Sequence, residues 1–125
     1  YVCDRTNDRI QVFRKDGTFV KEAFIARYTK GSGSAWDMVF SNDPEQKFII
    51  LTDGTNEVVW ELRRDTLEVL AAFGGAGHWP GQFYGPHNIA SDSKGNLYIT
   101  ETYDGKRVQR FLYKGLGTGR LPSFE

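Results

Sequence analysis

Two histidines and a few arginines are the side chains of this sequence best suited to bind a metal ion or a small molecule. His87 follows a proline at the start of a β-rich run. Its imidazole could bind zinc through a nitrogen at about 2.0–2.1 Å. One histidine alone defines no metal site, so a histidine held only by hydrogen bonds is the alternative.

His78 and Cys3 have more ordinary interpretations. His78 lies in the glycine-rich stretch at residues 74–81, where a surface loop residue is expected. No helical spacing follows this stretch, so it lacks the helix N-terminus that phosphate-binding loops use. Cys3 stands in the apolar–polar alternation of a strand, which favours a small buried side chain over a nucleophile.

Arg5 and several aromatic residues are candidates for binding a substrate. A guanidinium group can hold a carboxylate through two parallel hydrogen bonds. The alternative for Arg5 is a structural ion pair with a carboxylate of a neighbouring sheet. Trp36 stands at the start of a predicted strand, where its side chain is either part of the core or a wall that faces the substrate. Tyr103, together with Trp79 and Tyr84, could form an aromatic binding surface.

One pattern occurs three times in the chain, at residues 1–13, 50–62 and 98–111. In each copy an acidic residue ends a β-rich run, a turn with Asn or Asp follows, and a second run ends on a large apolar residue. The copies lie about 49 residues apart, close to the period of a propeller blade. Alternation of apolar and polar residues within each run predicts a hairpin with one buried face.

The acidic residues Asp4, Asp53 and Glu101 recur at the same place in the three copies. Recurrence at a fixed position indicates architecture, with the carboxylate holding backbone N–H groups or a nearby arginine. Arg9 and Arg107 also occupy matching positions, so we interpret them as structural too.

In each four-stranded blade the hairpin supplies the two middle strands, which we label b and c. The other β-rich runs supply an inner strand (a) and an outer strand (d). Residues 35–40 and 87–91 are predicted to form the innermost strands, labelled a. Residues 19–26 and 67–73 are predicted to form the outermost strands, labelled d. The chain is then divided into a partial blade b-c-d at 1–34, a full blade at 35–85, a partial blade a-b-c at 86–114 and a tail at 115–125. We expect further blades before Tyr1; self-association of a short chain is the alternative.

Residues 2–13 resemble the NHL repeat, and so does Pro80-Gly81-Gln82-Phe83 followed by Pro86-His87-Asn88-Ile89-Ala90. The resemblance covers nearly the whole chain. It implies an all-β fold, an NHL-type β-propeller of which this chain forms about two and a half four-stranded blades of a six-bladed ring. NHL propellers serve as enzymes, RNA-binding proteins and protein-binding platforms, so the fold does not settle the function.

Within this group the sequence is similar to the peptidyl-α-hydroxyglycine α-amidating lyase family. The resemblance implies a zinc ion on the propeller axis, with His87 as the last of its histidine ligands and Arg5 beside the substrate. The other histidines and the catalytic tyrosine would precede Tyr1. Asn88 stands where the family has an Asp that helps bind calcium, and an uncharged amide there puts the calcium site in doubt. A secreted or periplasmic location is also implied.

Composition limits the partners. Lys+Arg and Asp+Glu both total 16, so the formal net charge is zero. Broad binding to a nucleic-acid backbone needs a basic face, so we expect no nucleic-acid partner. No stretch approaches about 18 consecutive apolar residues, so we expect no membrane span.

Three functional hypotheses follow. The first is a zinc-dependent lyase acting on a small molecule or peptide with a hydroxyglycine-like group, with Arg5, Trp36 and Tyr103 contacting the substrate. The second is a non-catalytic propeller that binds a protein or other ligand through the rim loops at residues 29–34 and 74–85. The third and weakest is a calcium-dependent lactonase-type propeller that uses Asp37 and Asn88.

Overall fold

The structure is a computed structural model that describes residues 1–118. It contains ten β-strands in three antiparallel sheets, which confirms the expectation of an all-β chain. The helical segments within these residues are two three-residue 3-10 turns, Arg5–Asn7 and Tyr103–Gly105. None of the described helical segments has the length and apolar character needed to cross a membrane.

The strands are numbered in chain order. The first sheet consists of β1 (Val2–Asp4), β2 (Arg9–Phe13) and β3 (Phe19–Phe24). The second consists of β4 (Asp37–Phe40), β5 (Phe48–Asp53), β6 (Val58–Arg63) and β7 (Val69–Gly74). The third consists of β8 (Pro86–Ser91), β9 (Leu97–Glu101) and β10 (Val108–Phe111). Residues 119–125, which are most of the predicted tail, lie outside the described part of the chain.

Within each sheet every strand pairs with the next one in the chain, and a similar hairpin turn recurs in all three sheets. The β1–β2, β5–β6 and β9–β10 turns each contain a non-glycine residue with positive φ. These are Asp8 at 57°, Glu57 at 59° and Lys106 at 46°. Such a conformation costs a residue with a Cβ about 1–2 kcal/mol, so the surrounding hydrogen bonds must fix it. The repeat seen in the sequence is therefore also a repeat of backbone geometry.

Two apolar cores join the sheets face to face. The core between the first and second sheets includes Ile10, Ile49, Leu51 and Trp60. The core between the second and third sheets consists of Val59, Phe83, Ile89 and Ile99. Strand β5 alternates between the two, because Ile49 and Leu51 face the first core while Ile50 packs against the second. The middle sheet is thus covered on both faces.

The sheets form an open row within residues 1–118, because one apolar core joins the first sheet to the second and the other joins the second to the third. Strand β8 packs beside β4 and β5. In the second sheet β4 begins where β5 ends, as antiparallel pairing requires. The start of β4, the start of β8 and the end of β1 lie at the same end of the strands in the three sheets. This end carries the residues considered next.

Candidate functional site

Five side chains from all three sheets meet at this end. We call them the Arg5–His87 cluster, which consists of Arg5, Trp36, Asp37, His87 and Asn88. Arg5 follows β1, Trp36 and Asp37 stand at the start of β4, and His87 and Asn88 are the second and third residues of β8. The structure thus brings together five residues that the sequence singled out, although 82 positions separate Arg5 from His87.

Arg5 lies against an aromatic ring. Its Cζ atom is 4.6 Å from the centroid of the Trp36 ring, within range of a cation–π interaction. No carboxylate of residues 1–118 forms an ion pair with Arg5. The alternative expectation for Arg5 was an ion pair with a carboxylate of the neighbouring sheet. That sheet instead provides the indole ring of Trp36. Among residues 1–118 no acceptor takes a hydrogen bond from the guanidinium, so its donors are available to another group.

Trp36 is fixed in one orientation by two glycines. Its Nε1–H donates to the Gly33 carbonyl at 2.7 Å, and Thr55 Oγ1 donates to the same oxygen at 2.7 Å. Gly54 lies flat against the ring, where a Cβ atom would come within 2.7 Å of the indole carbons. A Cβ on Gly33 would overlap the Arg5 carbonyl oxygen at 1.8 Å. Both glycines allow the chain to approach closely enough for the cluster to form.

His87 lies edge-on to Trp36, with ring centroids 4.9 Å apart and an interplanar angle of 79°. Its Nδ1 is 2.8 Å from Asn88 Oδ1, and Asn88 Nδ2 donates to Asp37 Oδ2 at 3.2 Å. Because the amide nitrogen faces the carboxylate, the amide oxygen must accept from His87, which places the imidazole proton on Nδ1. The Nε2 atom then has a lone pair, and no described residue hydrogen-bonds to it.

Asp37 connects the second and third sheets. Its Oδ1 accepts from the Met38 backbone N–H at 2.9 Å, and its Oδ2 accepts from the Ile89 backbone N–H at 3.0 Å as well as from Asn88. Nearby, the Thr52 hydroxyl donates to the His87 carbonyl at 2.7 Å. These bonds hold the start of β8 against the start of β4, and so they fix the direction of the imidazole.

The cluster offers a metal ion one imidazole nitrogen and the side-chain oxygens of Asp37 and Asn88. An imidazole that donates one ring N–H to a fixed acceptor and leaves the other nitrogen free is the usual arrangement of a metal-binding histidine. Residues 1–118 contain no group of three or more His, Cys, Asp or Glu side chains placed to hold a metal ion, so His87 fits zinc as one ligand only. Calcium takes about six to eight oxygen ligands, and Asp37 and Asn88 alone do not supply that number.

Tyr103 lies apart from the cluster. It belongs to the β9–β10 turn, its side chain is 70% exposed, and its ring approaches Gly85. In the adjacent loop Trp79 is 77% exposed, and His78 stacks on Tyr84 with ring centroids 5.1 Å apart. Tyr103 therefore lies near the rim loop at residues 74–85, and its role in substrate binding stays a prediction.

The recurring acidic residues hold their own turns. Asp4 accepts from Arg9 Nε at 2.7 Å, and this bond, together with that from Asn7, keeps the pKa of Asp4 below its ordinary value. Asp53 accepts from Trp60 Nε1 at 2.9 Å, and burial raises its pKa. Glu101 accepts from Arg107 and from the Tyr84 backbone N–H. Each carboxylate thus connects its hairpin to nearby side chains or loops.

Cys3 is half-buried in the first sheet. Burial, with the Asp37 carboxylate nearby, raises the pKa of its thiol to about 11. The thiolate is therefore scarce at neutral pH, and thiolate is the reactive form of cysteine.

Comparison with known proteins gives no family for this chain. A scan against protein-family models finds no match, and a search of curated proteins finds no similar sequence. The geometry of the Arg5–His87 cluster and the repeat pattern therefore carry the functional argument.

Proposed function

We propose that this chain is part of an NHL-type β-propeller and that the Arg5–His87 cluster binds the carboxylate end of a small molecule or peptide. One observation carries this proposal. The Arg5 guanidinium is held by Trp36 without a carboxylate partner in the described residues, next to an imidazole whose Nε2 is open. A cation with free donors beside a basic nitrogen suits an anionic substrate that must also lose or share a proton.

The arrangement of the sheets supports the propeller. Propeller blades are antiparallel sheets with strands in chain order, packed face to face around an axis lined by their innermost strands. The second sheet has four strands in that order, and the flanking sheets have three each. Strands β4 and β8 lie side by side as first strands of neighbouring sheets. We infer that they face the axis and that the Arg5–His87 cluster lies at one mouth of the channel.

The reaction that this site suits best is cleavage of the C–N bond of an α-hydroxyglycine group. The hydroxyl loses its proton as the C=O bond of glyoxylate forms, and the departing nitrogen gains a proton to give the amide. Arg5 binds the substrate carboxylate, and Trp36 holds Arg5 in place and shields it from water. Asn88 and Asp37 keep the His87 proton on Nδ1, so that Nε2 can accept a hydrogen bond or bind a metal. Zinc at Nε2, with its other ligands outside residues 1–118, would supply Lewis-acid polarisation of a substrate oxygen.

Binding of the carboxylate can be tested with benzoyl-α-hydroxyglycine and its neutral methyl ester. Calorimetric titration of the full-length protein should show binding of the acid. Arg5→Gln should weaken it about tenfold or more, because a charge-assisted pair is lost. Arg110→Gln, on an exposed residue of the third sheet, is the matched control. Equal affinity for acid and ester, or unchanged affinity in Arg5→Gln, would refute the assignment of Arg5.

Catalysis needs a separate measurement. Release of glyoxylate by the zinc-supplemented full-length protein, and its loss in His87→Ala, would support the lyase. Binding of the acid without any release of glyoxylate would leave a binding site and reject the reaction.

A second candidate function is supported by the rim loop at residues 74–85. Trp79 is 77% exposed, although the loop around it is anchored: Arg107 donates to the His78 carbonyl at 2.6 Å and to the Gln82 carbonyl at 2.7 Å. A large aromatic side chain on a fixed loop is typical of a protein-binding surface. If the protein is a binding platform, Trp79→Ala should abolish capture of its partner while Arg5→Gln leaves it unchanged.

A further inference from the structure

A cavity of about 630 Å³ lies at the opposite end of the first two sheets. Phe48, at the start of β5, lines it, whereas Asp53, at the other end of β5, lies near the Arg5–His87 cluster. A strand of this length spans about 17 Å, so the cavity and the cluster are separate places. Tyr1, Phe48 and Leu70 line it beside the two cations Lys21 and Arg64. We call this space the Lys21–Arg64 cavity.

The cavity has more positive than negative side chains. Arg63 is neutralised by Asp65, whose carboxylate lies 3.0 Å from Arg63 Nη2. Lys47 lies 3.6 Å from Glu45. Two cations are left, Lys21 and Arg64, and neither forms an ion pair with a carboxylate in the described residues.

Arg64 is held rigidly by uncharged groups. Its Nε donates to the Tyr1 hydroxyl at 3.2 Å, and its Nη1 donates to the carbonyls of Glu45 and Gln46 at 3.2 and 3.3 Å. Its Cζ lies 5.5 Å from the centroid of the Phe40 ring. The Nη2 group has no hydrogen-bond acceptor among residues 1–118, so two N–H donors of a fixed guanidinium are available.

Lys21 reaches the cavity from β3, across the boundary between the sheets. Its ammonium donates to the backbone carbonyls of Arg64, at 3.3 Å, and Asp65. An ammonium has three N–H donors, so one is left. These bonds place Lys21 beside the chain that carries Arg64, and the acceptors of its ammonium in the described residues are backbone carbonyls.

We propose that the Lys21–Arg64 cavity binds an organic oxyanion, a carboxylate or phosphate carried on an apolar or aromatic body. Two uncompensated cations in a concave space create a positive potential that a bound anion would offset. Tyr1, Phe48 and Leu70 supply apolar surface for the body of the ligand. The volume lies within the range of about 300–1,000 Å³ that small-molecule sites occupy.

The test uses phenyl phosphate, benzoate, inorganic phosphate and the neutral benzyl alcohol as probes. Each is titrated into the protein while the backbone amide signals of Lys47, Asp65 and Leu70 are followed by NMR. A saturable shift with phenyl phosphate or benzoate, and none with benzyl alcohol, is expected. The stronger of the two anionic probes identifies the preferred head group, and weaker binding of inorganic phosphate shows that the apolar body contributes.

Variants separate the anion site from a simple apolar pocket. Arg64→Gln and Lys21→Gln should each weaken binding about tenfold, the effect of losing a charge-assisted hydrogen bond. Arg110→Gln and Lys94→Gln, which remove exposed charges from the third sheet, should leave it unchanged. Arg64→Lys keeps the charge but not the planar fork, and it should retain part of the affinity.

Two outcomes would overturn the proposal. One is binding of benzyl alcohol as tight as that of phenyl phosphate. The other is unchanged affinity in folded Arg64→Gln and Lys21→Gln, with folding checked by the amide spectrum. Arg5→Gln should leave the cavity's affinity unchanged, so failure at the Arg5–His87 cluster and failure here are distinguishable.

Discussion

The guanidinium of Arg5 lies over the indole ring of Trp36, with 4.6 Å between Cζ and the ring centroid, and so joins the first sheet to the second at the candidate site. The contact of Arg5 with the Trp36 ring takes the place of an ion pair, and this leaves the positive charge of Arg5 available to a ligand. A guanidinium already paired with a carboxylate would bind a second anion weakly. The contact thus serves both the packing of the sheets and the proposed binding of an anion.

The energy of this contact can be measured with a double-mutant cycle. Arg5→Gln, Trp36→Leu and the double variant should give a coupling energy of about 0.5–1 kcal/mol, the usual strength of a partly exposed cation–π pair. Urea unfolding supplies the free energies. Arg110→Gln combined with Trp36→Leu is the control and should be additive. A coupling of zero for Arg5 and Trp36 would show that the two groups are only neighbours.

The imidazole of His87 should carry its proton on Nδ1. The Asp37–Asn88–His87 chain of hydrogen bonds requires this, because Asn88 turns its oxygen toward the ring. Long-range ¹⁵N–¹H correlation spectra at a pH where the ring is neutral report the tautomer directly. In Asn88→Leu the acceptor is lost, and the tautomers should mix. His78, stacked on Tyr84, is the internal control and should be unaffected. An Nε2–H tautomer in the unaltered protein would contradict the assigned hydrogen bonds.

The hairpins were predictable because their information is local. The alternation around Asp4, Asp53 and Glu101 fixes which face of each strand is buried, and the turn residues follow within a few positions. Arg5 and His87 could be named through the resemblance to a known family. Their contact through Trp36 could not, since it depends on the separation of two sheets and on Gly33 and Gly54, which fit only after packing.

The Lys21–Arg64 cavity had no signal in the sequence for a related reason. Its two free cations lie 43 positions apart and look like ordinary surface charges in a chain of zero net charge. Only the structure shows that their carboxylate neighbours are already paired or distant. Side chains whose partners come from another sheet are the part of the site that pattern alone does not reach.

Stability should depend on pH through Asp53. Burial raises its pKa above the ordinary value of 3.8, so the folded state holds the proton more tightly than the unfolded state does. Its contribution to stability is therefore fully present below 3.8 and is lost as the pH rises through the raised pKa. The difference in unfolding free energy between the unaltered protein and Asp53→Asn should fall over this window, measured by urea unfolding at closely spaced pH values.

Asp92 provides the opposite case. Hydrogen bonds, of which that from the Asn96 side chain has the largest effect, lower the pKa of Asp92. Its contribution to stability is therefore present above pH 3.8 and is lost as the pH falls through the lowered pKa. The difference between the unaltered protein and Asp92→Asn should therefore rise with pH. Curves of the same sign for the two variants would mean that general charge effects, rather than these two environments, set the pH dependence.

Replacement of Gly54 by alanine tests the packing that orients Trp36. The backbone of Gly54 is not in the positive-φ region, so alanine meets no backbone strain there. Its Cβ would instead come within 2.7 Å of the Trp36 ring. We expect a loss of about 1–3 kcal/mol in unfolding free energy, typical of overpacking, together with weaker binding at Arg5 as the ring is displaced. Gly117→Ala is the matched control, because a Cβ there meets open space. If Gly54→Ala were as stable as Gly117→Ala and bound the carboxylate probe equally well, the close contact between Gly54 and Trp36 would not be what holds the ring.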